Sequence, residues 1–228
     1  MTTAIWRCCT RLALLIVLAS LAACSSLPAW YDPTKTHHRP DGFVNSDGTR
    51  STKGLDQLLQ WRWGAYRSGS PRPPSQVYDG YDSFPVLKPD LKRLSDPGPA
   101  SLLTWIGHAT SLLQIGGLNI LTDPHFGERA SPLSFVGPTR KVALPVTLAE
   151  LPRIDMVVIS HNHYDHLDVG SIKALAEQTG GPPLFLVPLG VDDWFDDLDI
   201  SKVRALDWWD SIDIQGLAVH FVPVHHWS

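Results

Sequence analysis

The chain has 228 residues, 43% of them apolar, which is enough to build a packed core in one or two domains. Its formal net charge is −4, with 19 basic against 23 acidic residues. No cluster of Lys and Arg occurs that would neutralise a run of phosphates, so nucleic acid is set aside as a partner. The three cysteines, Cys8, Cys9 and Cys24, all lie near the amino terminus, so the body of the chain has neither a disulfide framework nor a cysteine nucleophile. Any metal site there is built from histidine and carboxylate.

Residues 1–23 read as a targeting segment, with Arg7 and Arg11 ahead of an uncharged apolar run from Leu12 to Ala23. That run is shorter than the ~20 residues that cross a bilayer, which argues against an uncleaved anchor. Leu21-Ala22-Ala23-Cys24 resembles the bacterial lipobox. The resemblance implies cleavage before Cys24, a lipid on its sulfur and acylation of the new amino terminus. Ser25 follows Cys24, and similarity to enterobacterial sorting rules then implies the outer membrane, facing the periplasm. With Arg7 and Arg11 removed, 17 basic side chains face 23 acidic ones and the mature charge is −6.

Residues 24–99 are rich in Pro, Gly, Ser and Asp, and one helix is predicted within them, Gly54 to Tyr66. Leu55, Leu58, Leu59 and Arg62 fall at helical spacing, with Trp61 and Trp63 beside them, so this helix is expected to dock on its own domain. Ser68 to Pro74 reads as a linker or extended arm. Residues 100–228 have a different texture. Strands are predicted at Leu102–Ile106, Ser111–Ile115 and Leu118–Thr122, with Gly116-Gly117 as a tight turn. A strand over Asp155–Ser160, apolar on both faces, leads through a loop to a helix over Val169–Gln178. Strands at Leu184–Val187, Val203–Leu206 and Leu217–Pro223 follow, with a helix at Val191–Asp197. Alternation of this kind is α/β packing in layers.

The loop after the buried strand reads His161-Asn162-His163-Tyr164-Asp165-His166. Three imidazoles and a carboxylate within six residues suit zinc. His161, His163 and Asp165 alternate, so extended backbone turns them to one side and His166 to another, an arrangement able to serve two ions. The position is the carboxyl end of a strand, where α/β folds place ligands. A further ligand is needed, and position alone leaves His225 and His226 open.

His161-x-His163-x-Asp165-His166 resembles the hallmark of the metallo-β-lactamase superfamily, and its surroundings are similar to the N-acyl-phosphatidylethanolamine phospholipase D branch. The similarity runs through Thr104-Trp105-Ile106-Gly107-His108-Ala109-Thr110, Leu121-Thr122-Asp123-Pro124, Arg129-Ala130-Ser131-Pro132, Gly137-Pro138 and Glu150-Leu151-Pro152. It continues through Ile159 to Asp168, Val187-Pro188-Leu189-Gly190 and Leu206-Asp207-Trp208-Trp209. The resemblance implies an αββα sandwich, of which residues 100–228 supply mainly the first half. It implies that His161, His163 and His226 hold one zinc, and that Asp165 and His166 hold a second, with Asp165 at the catalytic position. Asp123 matches an aspartate that orients ligand histidines, or is a turn-former before Pro124. His108 supports the ligands or is a buried, hydrogen-bonded histidine. His125, His37 and His38 match no ligand position and are expected at the surface, while Trp208 and Trp209 are expected in the core.

The implied activity is hydrolysis of a phosphodiester in N-acylated phosphatidylethanolamine, releasing an N-acylethanolamine. The implied partners are a membrane, through the lipid anchor, and a phospholipid substrate. The family supplies a metal-bridging aspartate and a further histidine beyond the position of Ser228, so the chain is expected to be truncated, to hold one zinc well and to turn over poorly. Exposed sheet edges and self-association are expected with it. Rival readings are a lactonase-like hydrolase of the same superfamily and a non-catalytic zinc-binding envelope lipoprotein.

Overall fold

A computed structural model describes residues 27–50, 84–133 and 135–226. Cys24, the Gly54–Tyr66 helix and the Ser68–Pro74 arm lie outside the described residues. The chain divides into two compact units, Met1–Val44 and Asn45–Ser228.

In the first unit, two short strands, β1 (His38–Arg39) and β2 (Gly42–Phe43), pair antiparallel. Trp30 stacks on Phe43 at 4.6 Å, and the His37 and His38 rings meet edge to face. The Asp32 N–H donates to His38 Nδ1 at 3.0 Å. Both histidines are buried, which corrects the surface reading. An imidazole with a hydrogen-bond partner tolerates burial among aromatic rings.

The second unit is a mixed six-stranded sheet in the order β3-β4-β5-β6-β7-β8. Strands β3 (Leu102–Gly107), β4 (Thr110–Ile115) and β5 (Leu118–Thr122) form an antiparallel meander. Strands β6 (Met156–Val158), β7 (Leu184–Pro188) and β8 (Val203–Leu206) continue in parallel from β5. Parallel pairing needs crossovers, and α2 (Val169–Ala176) and the short α3 (Asp192–Asp196) supply two of them. Asp168 caps α2 by accepting from the Ser171 N–H at 3.1 Å. A five-residue helix, α1 (Leu91–Ser95), precedes the sheet and is capped by Asp90. Among the described residues no helix is long and apolar enough to cross a membrane.

The period of two along each strand divides the core. Leu121, Val157, Phe185 and Val187 face the layer that holds Ile172, Leu175 and Phe195. Ile120, Met156, Leu186 and Leu206 face the opposite side, where the hairpin of β9 (Ser211–Ile214) and β10 (Leu217–His220) packs through Ile212, Ile214, Leu217 and Val219. The sequence predicted one strand over Leu217–Pro223, and the structure shortens it and adds β9. The hairpin turns on Gln215 and Gly216, both at positive φ, as a two-residue turn requires.

Phe185 is fully buried against Phe195, with ring centroids 5.2 Å apart. Phe185→Ala removes a ring the surrounding strands cannot replace and is expected to cost about 3–5 kcal/mol. Urea unfolding should show a lower midpoint at unchanged slope, and a midpoint matching wild type would contradict this packing.

Candidate metal centre

The centre forms where the carboxyl ends of β5 and β6 meet. The Asp123 N–H donates to the Val158 carbonyl at 2.9 Å, which brings the residue after β5 beside the residues after β6. Asp123 is buried and adopts a left-handed φ of 36°. Its Oδ1 accepts from the Ser160 N–H at 2.7 Å and its Oδ2 from the Ser160 hydroxyl at 2.7 Å. The same Oδ2 lies 2.9 Å from His166 Nδ1. The turn and the acceptor, the two roles open for this residue in the sequence, are therefore present together.

That network fixes the imidazoles. The Ser160 hydroxyl proton goes to Asp123, which leaves Oγ to accept from His161 Nδ1–H at 2.8 Å. His161 Nε2 is then a bare lone pair, and it faces His163 Nδ1 at 2.9 Å and His226 Nε2 at 3.0 Å. Imidazole lone pairs this close repel unless a proton or a cation stands among them. Metal bonds of about 2.0–2.1 Å in tetrahedral array set ligand atoms about 3.3 Å apart, so the three histidines fit a metal ion such as zinc. All three ligand atoms lie within 4.8 Å of one another.

A second group adjoins the first. His166 Nδ1 points to Asp123, which turns its Nε2 toward Asp165 Oδ2 at 3.6 Å. His108 Nε2 lies 2.8 Å from the same oxygen. His108 is half-exposed at the turn between β3 and β4, contrary to the buried reading. His226 is held by its own N–H, which donates to Asn45 Oδ1 at 3.1 Å. His225 instead lies 3.7 Å from Asp47 Oδ2 and takes no part in either group.

Two further expectations are corrected. His125 is buried rather than superficial, because Arg140 Nη2 reaches its Nδ1 at 2.8 Å and its carbonyl at 2.6 Å. Trp209 is exposed, not core, and occupies a left-handed turn closed by its N–H on the Phe221 carbonyl at 2.7 Å. Trp208 is half-buried. The centre opens into a cleft of about 1090 Å³ lined by Phe84, Val86, Leu87, Trp105 and Val142, with Arg140 and Lys141 as its cations and His163, Asp165, His166 and His226 at its polar end.

Residues 118–228 match the family described as the beta-lactamase superfamily domain. The match is to the superfamily that the His161–His166 motif resembles. The chain is 40% identical over 200 residues to an uncharacterized protein of Mycobacterium tuberculosis, covering 84% of this chain and 50% of that one. It is 36% identical over 132 residues to the N-acyl-phosphatidylethanolamine-hydrolyzing phospholipase D 1 of Caenorhabditis elegans, covering 54% of this chain and 37% of that one. The chain thus spans about half the length, or less, of these curated relatives. Among solved structures it is similar to an isothiocyanate hydrolase from Delia radicum gut bacteria, 28% identical over 52% of this chain and 46% of that one, with a TM-score of 0.41.

Metal ligands must be deprotonated at neutral pH, and the electrostatics here favour that state. Burial, reinforced by His166, His226 and His163, lowers the His161 pKa from 6.5 to about 4. Burial chiefly lowers His163 as well. Burial alone raises Asp165, but a backbone hydrogen bond, the hydrogen bond from His108 and the nearby imidazoles outweigh it and hold the carboxyl below its ordinary value. Because the folded pKa of His161 lies below its unfolded value, its contribution to stability is complete above pH 6.5 and is lost as pH falls toward 4. Melts of metal-free protein should therefore fall in temperature across that window, and His161→Gln should flatten the slope. A slope unchanged by the substitution would contradict this assignment.

Asn45 and Ser160 belong to the site although the sequence did not single them out. Ser160, next to His161, could have been found as a hydroxyl able to fix an imidazole tautomer. Asn45 carries no such signal, standing 181 positions from His226.

Proposed function

We propose that this chain carries the metal-binding portion of a zinc-dependent phosphodiester hydrolase acting on an N-acylated phosphatidylethanolamine. The observation that carries the reading is the juxtaposition of the histidine and carboxylate groups with a mainly apolar cleft that also presents two cations. Zinc bound at His161, His163 and His226 would supply a Lewis acid that makes water a nucleophile at neutral pH and accepts charge on phosphoryl oxygen. Asp165, ionised and fixed by His108, is placed to take a proton or a cation. Arg140 and Lys141 suit an anionic phosphodiester, and Phe84, Val86, Leu87 and Trp105 suit acyl chains and exclude water.

Similarity to a phospholipase D over part of that enzyme supports the substrate class. The resemblance of Leu21-Ala22-Ala23-Cys24 to a lipobox supports a lipid-anchored location at the outer membrane, where such a substrate would lie in reach. Labelled palmitate should enter the wild-type protein and not Cys24→Ala, and equal labelling would overturn the anchor. For the activity, zinc-loaded protein should release N-acylethanolamine and phosphatidic acid from mixed micelles, at the low rate expected of the ligands present, and leave a panel of lactones intact. Lactone turnover without phosphodiester turnover would replace this reading with a lactonase, and metal binding without turnover of either would leave a zinc-binding lipoprotein.

A further inference from the structure

Of the two cations in the cleft, Arg140 is the one held in place. Its Nη2 donates to the His125 carbonyl at 2.6 Å and to the Gly127 carbonyl at 3.0 Å, and lies 2.8 Å from His125 Nδ1. That ring nitrogen is the acceptor because His125 Nε2–H turns to the Arg129 carbonyl at 3.3 Å. The buried His125, which matches no ligand position, therefore has a task in seating the guanidinium.

The rest of the guanidinium is unspent. Among the described residues Nη1 has no hydrogen-bond partner, and Nε is buried without one. No described carboxylate lies at ion-pair distance from Arg140. Asp168, the acid that acts on it through space, accepts instead from the Gly127 N–H, the Ser171 N–H and the Ser171 hydroxyl. Burial lowers the Arg140 pKa and Asp168 opposes the shift, but a guanidinium stays charged at neutral pH. Buried charges in folded proteins are paired, so a half-buried one with no acid bonded to it is set for an anion that arrives from outside.

We propose that Arg140 is the anion-binding residue of the cleft and that it takes a non-bridging oxygen of a phosphodiester monoanion. The identity of that ligand rests on the phosphodiester reading above. Nη1 stands at a wall shared with the metal centre. A Cβ on Gly107 would lie 3.8 Å from it, and Gly107 precedes His108, which lines the same cleft with Asp165 and His166. Glycine leaves that approach open. Anchoring Nη2 on His125 and Gly127 pre-organises the guanidinium, so little side-chain freedom is lost when the anion binds. Lys141 is exposed and solvated, and contributes less. A lactone ring brings no charge to Arg140, so this residue also sets the preference for a phosphodiester over a lactone.

Calorimetric titration of the zinc-loaded chain with glycerophosphoethanolamine, a soluble phosphodiester, and separately with inorganic phosphate, reads the site without turnover. Wild type should bind the diester. Arg140→Gln should weaken it at least tenfold, and Arg140→Lys, which keeps the charge but not the planar fork, should recover part of the loss. The ratio between wild type and Arg140→Gln should be the same in metal-free protein, because Arg140 acts on the anion and not on the metal. Thermal melts guard against misfolding, since Nη2 also ties down the His125–Gly127 loop. If Arg140→Lys binds as poorly as Arg140→Gln and both melt below wild type, Arg140 is a structural tie and the proposal falls. Equal diester affinity in wild type and Arg140→Gln would overturn it, as would Arg140-dependent binding of inorganic phosphate but not of the diester. Release of N-acylethanolamine judges the activity separately. Arg140-dependent binding without turnover would sink the activity and leave the anion site, whereas turnover without Arg140-dependent binding would do the reverse.

Discussion

His161→Ala is expected to remove the metal from the three-histidine site and to lower hydrolysis by at least about 10³-fold, since the ion's acidification of water has no substitute among the side chains. His161 is the node of the centre. Its Nε2 faces both other histidines, at 2.9 and 3.0 Å, and its Nδ1 ties the group to Ser160. The fold should survive, because the residue sits in the loop after β6 and not among the fully buried side chains. Metal analysis, turnover and a thermal melt on one preparation check this together. Retained metal with retained turnover would place the reaction elsewhere.

Asp123→Asn separates two roles of one residue. Asparagine adopts left-handed turns as readily as aspartate, so a turn-former alone predicts near wild-type behaviour. In the structure the carboxylate accepts from three donors, the Ser160 N–H, the Ser160 hydroxyl and His166 Nδ1. An amide turns one acceptor into a donor and faces an N–H or O–H with its own NH₂. The expected result is about a 10–100-fold loss of metal affinity and activity. Asp123→Ala leaves these donors unpaired in a buried place, and each such group costs about 1–3 kcal/mol. A clear drop in melting temperature should accompany the lost affinity. Wild-type affinity in Asp123→Asn would reduce the residue to its turn.

Strand β8 over Val203–Leu206 and strand β5 over Leu118–Thr122 were legible to the residue, being apolar runs between turn signals. β6 was legible as a run but shorter as a strand. Asp155 and Ile159 still bond Asn119 and Leu186, yet the ladder covers only Met156–Val158. β9 escaped because Ser-Ile-Asp-Ile is four residues of plain alternation, and its stability comes from packing on the sheet face. At the site, the spacing of His161, His163, Asp165 and His166 pointed to metal because the residue types alone carry that chemistry. Selecting His226 over His225 by geometry depended on Asn45, a tertiary contact with no local signature. The burial of His125 likewise depends on Arg140, fifteen residues away, and pattern along the chain does not record it.

His161, His163 and His226 are expected to share one metal ion. X-ray absorption at the zinc edge of protein loaded with one equivalent tests it most directly. The expected spectrum has nitrogen scatterers at about 2.0–2.1 Å with the outer-shell pattern of several imidazoles. A shell of water oxygens without imidazole scattering would contradict it.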